Sequence, residues 1–549
     1  MSNKEPLYIT TPIYYVNDKP HIGHAYTTIA CDVLARFMRL DGYDVKFTTG
    51  TDEHGQKVDK AAKAKGIDPQ GFTDEVSKTF RRLVNANDGR GEGENLLNIS
   101  NDDFIRTTEQ RHKDAAQELW RRIEANGYIY KDNYGGWYAV RDEAYYQENE
   151  LIEKDGKKVA PSGAEVEWVE EESYFFKLSA FQQKLLDFYE ANPDFIQPES
   201  RYNEVVSFVR GGKEFEEGAL KDLSISRTTF DWGVRVPEGD GFSKDHIMYV
   251  WIDALCNYMT SAGFPDEMDK YNNYWGEIKE GEITQGKAVH FVGKDILRFH
   301  AVYWPAFLMA ANLPLPKKII AHGWWTIEGE KMSKSIGNVI SPDDLVENYG
   351  LDQVRYFMLR AMPFGNDGDF SRDRLAEVVN ADLANNIGNL AQRVLSMIQK
   401  NCEGKVPDKI DNDPYEILAE IKNISSASYF NNMSPFISSQ GVYFNLALAN
   451  IAEAANRANI YIDKCAPWAL KKEGKLEEMG GVLYNLAEAI RYIAILLQPF
   501  CPDAAGKILD QLSIPEDERK FEHLTEEYAL KSGTILPKPE GVFPRIDVS

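Results

Sequence analysis

Leu7-Tyr8-Ile9-Thr10-Thr11 opens the segment whose reading decides the fold, and it reads as a short buried strand. A turn-rich loop follows from Pro12 to Pro20, containing Asn17-Asp18-Lys19-Pro20. From His21 to Leu40 the apolar residues Ile29, Val33, Leu34, Phe37 and Leu40 recur at helical spacing, and Asp41-Gly42 stops the run. Asp44 to Thr49 reads as the next strand, and Gly50-Thr51-Asp52-Glu53-His54-Gly55 as the loop after it. Strand, loop, helix and strand in this order predict an α/β fold built on a doubly wound (Rossmann-like) parallel sheet. Ligands of such sheets gather beyond the carboxyl ends of the strands, where this reading puts both the His21–His24 and Asp52–Gly55 segments.

Further along, the pattern changes. Trp120 to Asn126 reads as the end of a helix stopped by Gly127. Tyr128–Tyr130 and Trp137–Val140 are strand-like on either side of Tyr134-Gly135-Gly136, and a hairpin is expected around Asp155-Gly156-Lys157-Lys158. The parallel sheet is expected to resume at Ile247–Trp251 and Val289–Gly293, with a further strand at Lys318–His322. Beyond about residue 375, Asp373–Lys400, Tyr415–Tyr429, Val442–Cys465 and Val482–Leu497 carry helical periodicity. The expected organisation is a sheet domain in two halves, 1–114 and 231–320, interrupted by an α+β module at 115–230. A loop-bearing segment, 321–375, then leads to an α-helical bundle at 376–549.

A chain of 549 residues is too long for one core. Its hydrophobic content of 43% fits a folded globular protein, and no apolar run approaches the ~20 residues of a membrane span. Met1–Pro6 is short and polar, so no targeting leader is expected and the reading is cytoplasmic. Cys31, Cys256, Cys402, Cys465 and Cys501 are scattered and form no C-x-x-C pair, which argues against disulfides and thiolate metal sites. A net charge of −24 argues against non-specific nucleic-acid binding while leaving room for a local basic face.

Two stretches carry chemistry. In His21-Ile22-Gly23-His24 the imidazoles lie three residues apart on one face at a helix start, where partial positive charge suits phosphate. Gly23 permits close approach of a nucleotide. In Lys331-Met332-Ser333-Lys334-Ser335, with Gly337 beyond, two lysines supply flexible point charges on a loop able to follow a phosphate as it moves. His-x-Gly-His alone is a weak signal; the two stretches in order indicate activation of a carboxylate by ATP.

The pair resembles the two signatures of class I aminoacyl-tRNA synthetases. Further segments resemble the methionine-specific branch of that class. They are Thr11-Pro12-Ile13-Tyr14-Tyr15-Val16-Asn17, Thr51–Gly55, Tyr249-Val250-Trp251-Ile252-Asp253-Ala254, His290–Ile296 with Arg298-Phe299-His300, Asn385–Arg393 and Ala466-Pro467-Trp468. The resemblance implies that methionine's carboxylate attacks the α-phosphate of ATP, accompanied by Mg²⁺, giving methionyl-adenylate and pyrophosphate. The terminal 2′ hydroxyl of tRNA(Met) then takes the methionyl group and AMP departs. It implies catalytic and ATP-binding roles for His21, His24, Lys331 and Lys334, with Gly23, Gly293 and Asp295 also at the nucleotide. Ile13, Tyr15, Trp251, Ala254, Leu255, Tyr258, Phe299 and His300 would line the methionine pocket, with Asp52 beside the ammonium. An aromatic wall suits a polarisable thioether, and His300 or Tyr15 would give the sulfur a weak polar contact. Asn389, Arg393 and Trp468 would read the anticodon, since unstacked bases need an aromatic platform and amide or guanidinium edges.

Two departures matter. Leu255 stands where some members carry proline, and no cysteine lies between Cys31 and Cys256, where many carry a zinc knuckle. A metal-free insert held by aromatic packing around Gly136–Glu143 is therefore expected, along with a monomer. Competing readings are a small-molecule nucleotidylyltransferase, which lacks such a helical domain, and a non-enzymatic tRNA-binding protein, which does not need intact His21, His24, Lys331 and Lys334.

Overall fold

The structure is a computed structural model. It describes residues 4–16, 18–85, 94–142, 144–146, 148–154, 156–239, 241–279, 281–331, 338–410, 415–425, 427–434 and 441–547. The chain divides into two compact units, one of residues 6–20 and 46–321, the other of residues 1–5, 21–45 and 322–549.

The first unit is organised by the expected doubly wound sheet. Its strands run in the order Ile196–Gln197, Lys318–His322, Ala288–Gly293, Lys4–Thr10, Tyr43–Asp52 and Tyr14–Tyr15, with Asp103–Arg106 also pairing Tyr43–Asp52. Lys4–Thr10 runs parallel to Ala288–Gly293, with Thr10 opposite His290, and Tyr14–Tyr15 runs parallel to the end of Tyr43–Asp52. Every residue of Ala288–Gly293 and Lys318–His322 is buried, as expected of strands covered on both faces.

One strand expectation needs correction. Ile247–Trp251 does not continue the parallel sheet. Gly241–Met248 instead lies between Ser226–Arg227 and Arg235–Glu238 in a separate antiparallel sheet. The backbone is extended at Tyr249, which caps a short helix, Val250–Leu255. That helix buries Ile252, Asp253, Ala254 and Leu255 in succession, a pattern that suits a helix enclosed on several sides better than a half-covered strand.

Within the insert, the strand-like stretches at Tyr128–Tyr130 and Trp137–Val140 fall at the two ends of one long strand, Ile129–Ala139, paired antiparallel with Glu167–Phe176 straight through Gly135-Gly136. Trp137 meets Trp168 edge to face at 5.5 Å across that ladder, and Ile152–Lys154 with Lys157–Val159 forms the expected hairpin. Aromatic pairs of this kind add about 0.5–1.5 kcal/mol beyond the area they bury.

The second unit is mainly helical. Arg372–Val379, a π-helical stretch at Asn380–Gly388, and Asn389–Asn401 follow one another, and Phe444–Cys465, Leu476–Leu497 and Pro502–Gln511 complete its framework. Leu476–Leu497 is long and apolar enough to cross a membrane, yet 94% of its apolar window is buried inside the protein. Its buried ion pair is held there: Arg491 donates twice to Glu488, at 3.0 and 2.6 Å, and to the His523 carbonyl at 2.9 Å. Ile22–Leu40 also belongs to this unit. Arg355, fully buried, donates to Asp32 of that helix at 2.6 Å and to the carbonyls of Pro499 and Phe500 at 3.0 and 2.9 Å.

Candidate active site

In the first unit the candidate methionine-binding residues come from several segments, with Tyr15 and Asp52 paired in one place and Trp251, Tyr258, Phe299 and His300 gathered in another. Tyr15 is the ladder partner of Asp52, and the Val16 amide donates to the Asp52 carbonyl at 3.1 Å. Ile13 precedes them, partly buried, and the Lys57 ammonium lies 4.9 Å over the Tyr15 ring. The helix Val250–Leu255 brings Trp251, Ala254 and Leu255, the last two buried. Trp251 stacks on Phe299 with ring centres 3.7 Å apart and planes 6° from parallel, and meets His300 edge to face at 6.2 Å. Phe299 and His300 open a π-helical turn, Phe299–Tyr303; such turns are frequent at functional sites.

The protonation of this group follows from its hydrogen bonds. His300 Nδ1 lies 2.9 Å from the Ile296 carbonyl, which only accepts, so Nδ1 carries the proton. Nε2 is then the acceptor, and the Tyr258 hydroxyl donates to it at 2.7 Å. Burial lowers the His300 pKa to about 4, keeping the ring neutral. Next to it, His290 lies 4.1 Å from the Tyr258 ring and 2.7 Å from the Thr10 hydroxyl; burial, then His300, push it well below the usual histidine range. Both histidines of this group are therefore neutral. Both His300 nitrogens are engaged within the protein.

Gly293 ends its strand and Asp295 lies exposed in the 3₁₀ turn that follows, at the carboxyl edge of the sheet. A dense polar network, which the sequence reading did not single out, holds the loop after Tyr43–Asp52. Glu53, fully buried, receives two bonds from Arg106 at 2.7 and 2.9 Å and one each from the hydroxyls of Thr51 and Thr108 at 2.7 and 2.5 Å. His54 Nδ1 lies 2.7 Å from one oxygen of Asp253, and His112 Nε2 lies 2.7 Å from the other. Among the described residues, no group of three or more His, Cys, Asp or Glu is placed to hold a metal ion.

In the second unit, His21 caps the helix Ile22–Leu40. Its Nδ1 accepts from the Gly23 amide at 3.1 Å, while the His21 amide donates to His24 Nδ1 at 3.1 Å. The rings stack at 3.8 Å. Burial and then His21 lower the His24 pKa well below the usual range. Because each Nδ1 accepts, each neutral ring carries its proton on Nε2, the edge able to donate to a phosphate oxygen. Thr27, one turn on, bonds the Gly23 carbonyl at 3.2 Å and His322 Nε2 at 2.8 Å. Lys331 ends a short strand paired with Trp325–Ile327, whereas Lys334, Ser333, Ser335 and Gly337 lie outside the described residues.

The three candidate anticodon residues also lie in this unit and reach its surface. Asn389 is exposed at the start of its helix, Arg393 donates to Asp463 at 2.9 Å, and Trp468 is 42% exposed on the short helix Pro467–Lys472.

A doubly wound sheet, a helix-capping His-x-Gly-His, the sequence Lys-Met-Ser-Lys-Ser and a helical bundle after it define a class of enzyme. Residues 7–395 match the family model for class I tRNA synthetases (M), and residues 446–548 match that for the anticodon-binding domain of methionyl-tRNA ligase. The chain belongs to the class I aminoacyl-tRNA synthetases and, within them, to the methionyl-tRNA synthetases. It is 53% identical over 544 residues to a methionine–tRNA ligase of Rickettsia felis, the match covering 99% of each chain. A methionine–tRNA ligase of Mesorhizobium japonicum is 52% identical over 547 residues, covering 99% of this chain and 98% of that one. Among solved structures, Mycobacterium tuberculosis methionyl-tRNA synthetase in complex with methionyl-adenylate matches with a TM-score of 0.89 and 47% identity, over 99% of this chain and all of that one. The reaction of this family is the ATP-dependent ligation of methionine to tRNA.

Proposed function

We propose the following division of labour in that reaction. Trp251, Phe299, Tyr15, Ile13, Ala254, Leu255, Tyr258 and His300 receive the methionine side chain, and Asp52 receives its ammonium, a cation that needs an anion when water is excluded. Gly293 and Asp295 take the adenosine. The Nε2–H edges of His21 and His24, at a helix start with no acidic residue in its first turn, donate to the phosphates of Mg²⁺–ATP. Lys331 and Lys334 neutralise the triphosphate as methionine's carboxylate oxygen attacks the α-phosphorus and pyrophosphate leaves, giving methionyl-adenylate. The 2′ hydroxyl of the terminal ribose of tRNA(Met) next attacks the methionyl carbonyl, releasing AMP, while Asn389, Arg393 and Trp468 hold the anticodon. Residues 1–114 and 231–320 form the catalytic domain, 115–230 a connective insert that needs no zinc, 321–375 the lysine loop and stem-contact region, and 376–549 the anticodon-binding bundle. The protein works as a cytoplasmic monomer.

The observation that carries this reading is the neutral, doubly hydrogen-bonded His300 beside the stacked Trp251–Phe299 pair. Its test is ATP–pyrophosphate exchange over all twenty amino acids. Exchange is expected with methionine alone; exchange with a different amino acid overturns the assignment. In the same assay Lys334→Ala is expected to slow adenylate formation far more than it weakens ATP binding, and equal effects refute its transition-state role.

A further inference from the structure

Asp253 stands between two of the proposed pocket residues, Trp251 and Ala254, yet its side chain makes contacts of a different kind. It is fully buried, with one carboxylate oxygen 2.7 Å from His54 Nδ1 and the other 2.7 Å from His112 Nε2. Both histidines are themselves buried, His112 completely. An ionised carboxylate only accepts, so both facing nitrogens carry protons. Burial alone would raise the Asp253 pKa, but the charge and hydrogen bonds of His54 and His112 outweigh it and hold the carboxyl well below its usual range.

The three side chains tie together three separate segments. His54 lies in the loop after Tyr43–Asp52, two residues beyond Asp52. His112 lies on the helix Gln110–Ala125, where its Nδ1 is 3.3 Å from the Thr260 hydroxyl. Asp253 lies on the helix that carries Trp251. The loop is pinned from other directions as well. Trp232 packs edge to face on His54 at 5.4 Å and donates to the Glu53 carbonyl at 2.6 Å, and the Gly55 amide donates back to the Trp232 carbonyl at 3.2 Å. Glu53 is consumed by Arg106, Thr51 and Thr108. Asp52 thus sits beside an anchored Glu53, and the His54 anchor runs directly to the helix of the aromatic wall.

We infer that Asp253, with His54 and His112, is a positioning unit that sets the Asp52 carboxylate relative to Trp251, so that methionine's ammonium and thioether are bound in one pose. This rests on Asp52 being the ammonium partner. None of the three residues need touch substrate; the unit acts through Asp52.

The test uses the full-length protein and three probes: L-methionine, L-methioninol, which keeps the ammonium and thioether, and 4-(methylthio)butanoate, which lacks the ammonium. In Asp253→Asn, the methionine KM in pyrophosphate exchange and the inhibition constant of methioninol are each expected to rise tenfold or more. The inhibition constant of 4-(methylthio)butanoate and the KM for ATP are expected to stay within twofold. Equal losses for all probes, indicating a collapsed pocket, overturn the inference, as does no loss at all. His54→Gln, which breaks the same tie from the loop side, is expected to show the same selective loss and decides the matter if Asp253→Asn does not fold. Asp52→Asn separates the ammonium contact from its positioning. If it leaves the methionine KM unchanged, the ammonium reading fails and takes the inference with it. If it raises that KM while Asp253→Asn and His54→Gln do not, the inference alone fails.

Discussion

The Tyr258 hydroxyl donates to His300 Nε2 at 2.7 Å, and this bond, with the Ile296 carbonyl on the other nitrogen, fixes the tautomer of a ring set edge-on to Trp251. Replacing Tyr258 by Phe leaves a buried nitrogen without its donor, at a cost of about 1–3 kcal/mol. Tyr258→Phe is expected to lower the thermal midpoint and to raise the methionine KM more than the ATP KM. An unchanged midpoint together with an unchanged methionine KM contradicts the assigned bond.

Histidines kept neutral by desolvation make stability sensitive to acid. His300 is held to about 4 against an ordinary 6.5, and His24 and His290 are also lowered well below it. Between those values the unfolded chain binds protons that the folded chain refuses, so stability rises with pH through this window and is lost as pH falls from about 6.5 toward 4. A tenfold difference in proton affinity between the folded and unfolded chain corresponds to about 1.4 kcal/mol. Asp352 has the opposite sign: burial raises its carboxyl to about 6, so its contribution is fully present below 3.8 and is lost as pH rises through 6. Urea midpoints are expected to fall from pH 7 to pH 5 in the native protein. Asp352→Asn, which keeps an acceptor for the Ala504 amide, is expected to be more stabilising at pH 8 than at pH 5. A flat native profile, or a pH-independent effect of Asp352→Asn, contradicts these signs.

Arg355 holds a buried charge and two main-chain carbonyls at once. Arg355→Met removes its bond to Asp32, which Arg36 also contacts at 2.7 Å, and takes the guanidinium away from the carbonyls of Pro499 and Phe500. A loss of about 3–5 kcal/mol is expected by urea denaturation. Adding Asp32→Asn is expected to recover part of it, because the buried carboxylate, left with Arg36 as its charge partner, is then gone; purely additive losses refute the pair.

Trp468 and Arg393 face solvent on the helical unit, where an unstacked base would gain about 1–3 kcal/mol from an aromatic platform. Trp468→Ala and Arg393→Gln are each expected to raise the KM for tRNA(Met) roughly 5- to 150-fold, the equivalent of that energy. Pyrophosphate exchange measured without tRNA serves as the comparison. A matching loss there assigns these residues to the stability of the bundle.

Local patterns carried most of the fold. The helix expected over His21–Leu40 spans Ile22–Leu40, and Lys318–His322 is a strand over the same residues, because both are dominated by their own periodicity and burial. Ile247–Trp251 misled for the same reason. A β-branched and aromatic run fits a strand, and only tertiary packing turns the chain helical after Tyr249. The rings of Trp251, Phe299 and His300, which meet in the structure, were singled out through a resemblance to a known family. The polar network behind them was not. His54 and Asp253 are 199 residues apart, and His112 sits in an otherwise ordinary amphipathic helix, so no spacing rule joins them.

The π-helical turn at Phe299–Tyr303 accommodates about one residue more than an α-helical turn would. Deleting one residue there would relax it to an α-turn and rotate everything before it by roughly 100° about the helix axis, enough to swing Phe299 off Trp251 and His300 off Tyr258. The seating of Phe299 on Trp251 and of His300 on Tyr258 is thus encoded partly as chain length. An insertion or deletion of a single codon in this turn would rearrange that group more drastically than most point substitutions within it.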